Sequence, residues 1–260
     1  MQNVLRALPR GLRKVIALAA HKLAKRIPGV PELVVGPLTY NQDGLATIHN
    51  CDFLNEKRFL EAYRVGELLD SWGGSQIQWR AYVACWAAQK ASRLEGDFVE
   101  CGVNRGGLSR TVMHYVDFQK LDKTFYLLDT FGGFEEKYVS DAERARGITN
   151  HYRYGECYDF VVRAFEGFRV VIIRGAVPET LPQVKATRVC YLSLDMNCAA
   201  PEIAAAEYFW DKLVPGAVIV LDDYGWQKHD EQRLAFDRLA REKGLMVLPL
   251  PTGQGLILKP

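Results

Sequence analysis

Five acidic residues, Glu100, Asp129, Asp195, Asp222 and Asp223, stand at the downstream ends of short apolar runs. One acid in such a place is a cap or a turn residue. Five at corresponding positions point to a site, because ligands of open α/β sheets bind at the carboxyl ends of strands. Asp195 follows Val189–Leu194, and the pair Asp222-Asp223 follows Ala217–Leu221. If those two runs are neighbouring strands, three carboxylates converge; unpaired, they repel and one takes up a proton. A hard divalent cation relieves that conflict through oxygen ligands, and Mg²⁺ commonly keeps positions for water or substrate oxygens. The plainer alternative has Asp222 capping the next helix and Asp223 facing solvent. Asp129 ends Phe125-Tyr-Leu-Leu128 and leads into Thr130-Phe-Gly-Gly-Phe134. An acid at the end of a second strand can accept hydrogen bonds from both hydroxyls of a ribose.

Ahead of these acids lies Gly96-Asp-Phe-Val-Glu-Cys-Gly-Val-Asn-Arg-Gly-Gly107, an apolar run, a glycine turn and a helix-like start near Leu108. Glycine leaves no Cβ in the way of a ligand, and free N–H groups at a helix start favour polar or anionic atoms. The spacing is not G-x-G-x-x-G, which weakens a nicotinamide dinucleotide reading without removing it.

The elements that must carry these residues follow from periodicity. Apolar alternation predicts strands at Phe98–Cys101, Thr124–Leu128, Arg169–Ile173, Val189–Leu194, Ala217–Leu221, Met246–Leu250 and Gly255–Leu258. Helical patterns fall at Gly107–Leu121, Glu156–Gly167, Pro201–Leu213 and His229–Glu242. Strand–helix alternation implies an α/β fold with a mostly parallel sheet covered on both faces. Pro251-Thr-Gly-Gln-Gly255 is too short for a helical crossover, so the seventh strand is expected to run antiparallel. Upstream, two further helices are expected over Asn55–Asp70, with Asn55 as N-cap, and over Gln76–Leu94, and a hairpin about Asn41-Gln-Asp-Gly44. The expected organisation is a basic amphipathic helix over 1–28, a helical, substrate-shaping region over 29–95 and the α/β domain over 96–260.

A content of 48% hydrophobic and 25% charged residues suits a globular chain with a real core. No apolar run approaches the roughly 18–20 residues that span a bilayer. Six cysteines without a CxxC pair or regular spacing read as reduced thiols of a cytoplasmic protein. Residues 1–27 hold 7 of the 33 basic residues and no acid, leaving 26 basic against 31 acidic ones, about −5, for the rest. That disfavours nucleic acid as a partner. Leu5, Leu8, Leu12, Val15, Ile16, Ala19, Leu23 and Ile27 recur at helical spacing along this basic arm. The arm reads as a helix packed on the body or on a second subunit of a homodimer, as a peripheral helix on anionic lipid, or as a targeting leader.

With these pieces assembled, the chain resembles a class I S-adenosylmethionine-dependent methyltransferase, and within that class the macrocin O-methyltransferase (TylF-like) family. The resemblance rests on Val99–Gly107, Leu128–Phe134, Arg174-Gly-Ala-Val-Pro-Glu-Thr-Leu-Pro182, Asp195 and Val214–Gly225, and it covers roughly residues 96–258. It implies a Rossmann-like sheet of seven strands with one antiparallel. It implies a cofactor site of Glu100, Gly102, Asn104, Gly106, Asp129, Thr130 and Gly175, with Asp129 on the ribose. It also implies a Mg²⁺ site of Asp195, Asp222 and Asp223, which lowers the pKa of an acceptor hydroxyl on a sugar, a glycan or a glycosylated natural product. The family usually carries Asp-x-Asp-x-Tyr after the fourth strand, its second Asp a proposed base. This chain has Asp195-Met-Asn197-Cys-Ala199. Asn197 takes no proton, so the base passes to another group on the same rim. His229 is the candidate, since histidine titrates near neutrality, with Tyr224 behind it. His151, in Asn150-His-Tyr-Arg-Tyr-Gly155, is a candidate substrate lid. Two other readings stay open: an NAD(P)-dependent oxidoreductase, and a non-catalytic binding protein on a methyltransferase-like fold.

Overall fold

A computed structural model describes residues 37–147 and 154–260, with scattered positions between 9 and 22. Most of the amphipathic arm, and His151, lie outside the described residues; within the arm, Leu12, Val15 and Ile16 are helical and exposed. The chain divides into two compact units, 1–52 and 53–260. The expected 29–95 region therefore straddles a boundary, and the helices expected inside it belong to the larger unit.

In the first unit, β1 (Tyr40–Gln42) and β2 (Leu45–Thr47) pair antiparallel. Asp43 and Gly44, at φ of 52° and 73°, make the two-residue turn. Positive φ at both central residues matches the right-handed twist of the strands they join.

After a 3₁₀ turn over Asp52–Asn55, the second unit carries α1 (Lys57–Glu67) and α2 (Gln78–Ala91). Asn55 closes that turn instead of capping α1. Glu56 is the N-cap, and it makes no side-chain cap bond. Phe53 stacks on Tyr82 at 4.2 Å and meets Phe59 and Trp79 edge-on, which buries the aromatic faces of both helices. Then come β3 (Asp97–Cys101), α3 (Gly107–Tyr115), β4 (Phe125–Asp129), α4 (Asp141–Ala145), α5 (Tyr158–Ala164), β5 (Val170–Arg174), β6 (Val189–Leu194), α6 (Ala199–Trp210), β7 (Leu213–Leu221), α7 (Asp230–Glu242), β8 (Leu248–Pro249) and β9 (Gly255–Leu258). The segment expected to be helical to Leu121 ends as α3 at Tyr115 and resumes as a 3₁₀ turn over Phe118–Lys120. Strand β7 starts four residues earlier than its alternation indicates, because Leu213 pairs with Val189 before the register shifts.

The large sheet has the order β5-β4-β3-β6-β7-β9-β8, parallel except for β9, which runs antiparallel to both β7 and β8. The chain winds outward from β3 through β4 to β5, then crosses back to β6 and winds the other way. The seam between β3 and β6 is thus the topological switch point, where open α/β sheets bind ligands. Val99, Cys101, Leu192, Leu194, Ile219 and Leu221 are fully or almost fully buried in one apolar core on one side of the sheet. On the other side α1 crosses α3 so closely that a Cβ on Gly66 would lie 2.3 Å from the Gly107 carbonyl oxygen. Only glycine permits that approach. The crossing presses α1 against the helix that follows the glycine loop.

Candidate active site

Gly102 follows β3 with φ of +91°, and a Cβ there would fall 1.9 Å from the Asp195 carbonyl oxygen. The two loops at the seam therefore touch through backbone. Gly106, also left-handed, is the N-cap of α3 against the Phe165 ring. Asp129, at the end of β4, is 7% exposed and fixes the loop beside it. Its Oδ2 accepts from the N–H groups of Val103 and Asn104 at 2.6 and 2.8 Å. Its Oδ1 accepts from the Phe131 N–H at 2.6 Å and from the Tyr154 hydroxyl at 2.5 Å. Burial, followed by the Asp129 charge, pushes the Tyr154 phenol well above its ordinary pKa, so it stays a donor.

A cleft opens over these residues at the carboxyl ends of the strands, where small-molecule sites of such sheets form. Gly102, Asp129, Thr130, Gly175 and Asp195 line it, together with Tyr138, Tyr154 and Asn197. Other expected cofactor residues lie behind its wall. Glu100 is buried and accepts a short hydrogen bond from Ser109 on α3. Burial, with Asp222 and Asp129 nearby, raises the pKa of its carboxyl well above the usual range. Asn104 turns its amide N–H to the Ser71 carbonyl at 3.1 Å, and its Oδ1 has no hydrogen-bond partner among the described residues.

Across the seam, Asp195, Asp222 and Asp223 each bring a carboxylate oxygen within 4.8 Å of the others. Parallel pairing of β6 with β7, Leu194 beside Leu221, produces this convergence. Asp222 and Asp223 are 3% and 4% exposed, and neither caps the next helix nor faces solvent. Burial first, and then the two neighbouring carboxylates, raise the Asp195 pKa well above normal. Asp223 is pushed up to about 6 by burial, with His229 opposing. Among the described residues, Asp223 Oδ2 is buried without a hydrogen-bond partner. An orphaned carboxylate oxygen among like charges is the donor set a divalent cation completes, so the residues fit such an ion.

Two residues that no local pattern marks hold Asp222. Arg80 Nη1 on α2 donates to its Oδ2 at 2.5 Å, and Gln254 Nε2 from the β8–β9 loop donates to its Oδ1 at 2.9 Å. His229 is 1% exposed, the N-cap of α7, and lies behind Asp223 instead of on the cleft wall. Its Nδ1 stands 3.8 Å from Asp223 Oδ2 and 2.5 Å from Gln232 Oε1. Gln232 Nε2 donates to Glu202 at 3.0 Å, and the same Glu202 oxygen accepts from the Met196 N–H. Burial carries Glu202 up to about 8. Tyr224 turns away and donates to Asp237 at 2.5 Å. Neither base candidate therefore lines the cleft: His229 backs Asp223, and Tyr224 is tied to Asp237. Asn197, at φ of 56°, does line the cleft, and its amide donates to Asp195 at 3.2 Å.

Sheet order, the switch-point cleft and the strand-end acids define a Rossmann-like methyltransferase. The chain belongs to the macrocin O-methyltransferase (TylF) family, which it matches over residues 78–247, and is thereby an O-methyltransferase. Among solved structures it is similar in fold to the O-methyltransferase NovP, at 18% identity over 69% of this chain and 79% of that one, with a TM-score of 0.60. The calicheamicin methyltransferase CalS11 matches at 16% identity over 98% and 96% of the two chains, TM-score 0.50. An O-methyltransferase from Bacillus cereus in complex with SAH matches at 14% identity over 78% and 91%, TM-score 0.50. No curated protein sequence matches the chain. The family assignment replaces the oxidoreductase and non-catalytic readings.

Proposed function

We propose that this enzyme transfers the methyl group of S-adenosylmethionine to a hydroxyl of a sugar, a glycan or a glycosylated natural product, assisted by Mg²⁺. The observation that carries the reading is that one cleft runs from Asp129 to Asp195, whose carboxylate belongs to the Asp222/Asp223 cluster. Asp129 and Asp195, the member of the acid cluster that lines the cleft, thus face one space. Asp129, with Thr130, Gly102 and Gly175 around it, would hold the donor, and its carboxylate would take the ribose hydroxyls. Glu100, Asn104 and Gly106 shape the loop from behind. Asp195, Asp222 and Asp223 would hold the cation, which when bound supplies Lewis acidity toward an acceptor hydroxyl. The chain's own part is to orient the acceptor oxygen in line with the methyl group and exclude water, a positioning effect worth several orders of magnitude in rate. Asn197 positions Asp195 and removes no proton; His229 acts through Asp223.

Methyl transfer from labelled S-adenosylmethionine to sugar acceptors, measured with and without chelator, tests the reading. Transfer that survives complete metal removal rejects the cation. Calorimetric binding of NAD in place of S-adenosylmethionine would reject the donor. One relative in fold, CalS11, is a calicheamicin methyltransferase, which supports a natural-product acceptor. We also place the enzyme in the cytoplasm, with the basic arm of residues 1–28 on an anionic membrane surface or against a second subunit. Among the described residues no helix is long and apolar enough to cross a membrane. Equal flotation on anionic liposomes with and without residues 1–28 would remove the membrane contact.

A further inference from the structure

Arg80 comes from α2, outside the strand–helix alternation, yet its guanidinium sits among the strand-end acids. Its Nη1 bonds Asp222 Oδ2 at 2.5 Å, and its side chain is only 18% exposed. The Trp226 ring lies 5.3 Å from its guanidinium carbon, a cation–π distance. Gln254 Nε2 bonds Asp222 Oδ1 at 2.9 Å and reaches the Arg80 carbonyl oxygen at 3.4 Å, so one amide ties the two partners together. Three separate elements thus hold one cation in one place. An exposed ion pair has no such scaffold.

We propose that Arg80 sets the charge of the Asp195/Asp222/Asp223 cluster so that it matches a divalent cation and discriminates against a trivalent one. The inference rests on the cation reading given above. Carboxylates that ligate a metal are ionised, and a guanidinium does not lose its proton. The cluster therefore carries three negative charges and one fixed positive charge, a net of −2. A divalent ion brings it to neutrality; a trivalent ion leaves +1. Asp222 stays able to ligate, because a carboxylate offers about four lone-pair sites and Arg80 and Gln254 use two. The balance also matters to the acceptor. A neutral loaded cluster tolerates negative charge developing on a hydroxyl oxygen, whereas a cluster at −1 repels it.

The test uses the full chain stripped of metal, with Mn²⁺ affinity read by calorimetry and Tb³⁺ affinity by luminescence. In Arg80→Met the ratio of Tb³⁺ to Mn²⁺ affinity should rise about tenfold or more, because the extra unit of charge no longer faces a fixed cation. In Arg80→Lys, which keeps the charge, the ratio should stay within about threefold of wild type. An unchanged ratio in Arg80→Met overturns the proposal. So does an equal rise in Arg80→Lys, which would assign the effect to lost guanidinium hydrogen bonds. If Arg80→Met fails to fold, Arg80→Gln carries the same comparison with a neutral donor. Absence of Mn²⁺ binding to the wild type rejects the cation reading itself; binding with an unchanged ratio rejects only the role of Arg80.

Discussion

The acceptor capacity of Asp129 is used within the chain: three backbone N–H groups and the Tyr154 hydroxyl take it up, and the Thr130 hydroxyl adds a long contact at 3.4 Å. A ribose can reach this carboxylate only where the phenol leaves, since the N–H donors belong to the loop itself. Tyr154→Phe should therefore tighten S-adenosylmethionine binding by a few-fold in calorimetry, the worth of one competing hydrogen bond. A weaker complex would show that the phenol contacts the donor instead. Asp129→Asn should weaken binding by roughly 10–100-fold, the scale of a lost charge-assisted bond. Asn197 poses a second single-residue question. Its left-handed backbone suits asparagine, and its amide offers Asp195 a donor where a carboxylate would add a fourth like charge. Asn197→Asp should lower the Tm in chelator by roughly 2–6 °C, and Mn²⁺ should restore most of that loss. A Tm indifferent to metal would place the new carboxylate outside the cluster's field.

Among the elements, α6 depends on a distant acid. Its N-cap, Cys198, makes no side-chain cap bond, and the Ala199 N–H is taken instead by Glu143 of α4 at 2.8 Å. Glu143 also closes a capping box with Ser140 on its own helix and is 1% exposed. One carboxylate thus starts two helices and pins the segment before α4 to the loop that carries Asn197. Glu143→Ala should lower the Tm by roughly 3–8 °C, with Glu143→Gln in between. A change under a degree would mean water replaces the cap. This dependence explains what the sequence conceals. The strands, their order of chemistry and the reversed β9 are legible, because alternation and loop length act over a few neighbouring residues. So are Asp129 and the aspartate cluster, which strand ends deliver. Arg80, Gln254 and Glu143 reach their partners across 142, 32 and 56 positions, and no periodicity marks a lone polar residue that completes a site from another element. His229 and Tyr224 misled for the converse reason. Closeness to Asp223 along the chain is real, but the turn after β7 carries both side chains inward, to Gln232 and Asp237.

At the scale of the molecule, burying so many acids inverts the usual dependence of stability on pH. Burial raises Asp223 to about 6 and Glu202 to about 8, and Asp195 and Glu100 also move upward. The unfolded chain loses these protons near pH 4, so the folded form binds more of them between pH 4 and 8. Their contribution is complete below about pH 4 and fades as pH rises through 6 and 8. The metal-free enzyme should therefore show a falling Tm from pH 5.5 to 8.5, and Mg²⁺ should flatten that slope by supplying the missing countercharge. A rising Tm in chelator would mean these carboxylates are solvated. The seam between β3 and β6 has a consequence of another kind. Asp129 lies on one flank of it and the aspartate cluster on the other, and the loops after β3 and β6 touch through the backbone at Gly102 and Asp195. On the reading proposed above, the donor and the cation sit on opposite flanks of one seam. It follows from that reading that substitutions along β6, β7 and the β8–β9 loop should change which acceptor is methylated more than they change the affinity for S-adenosylmethionine.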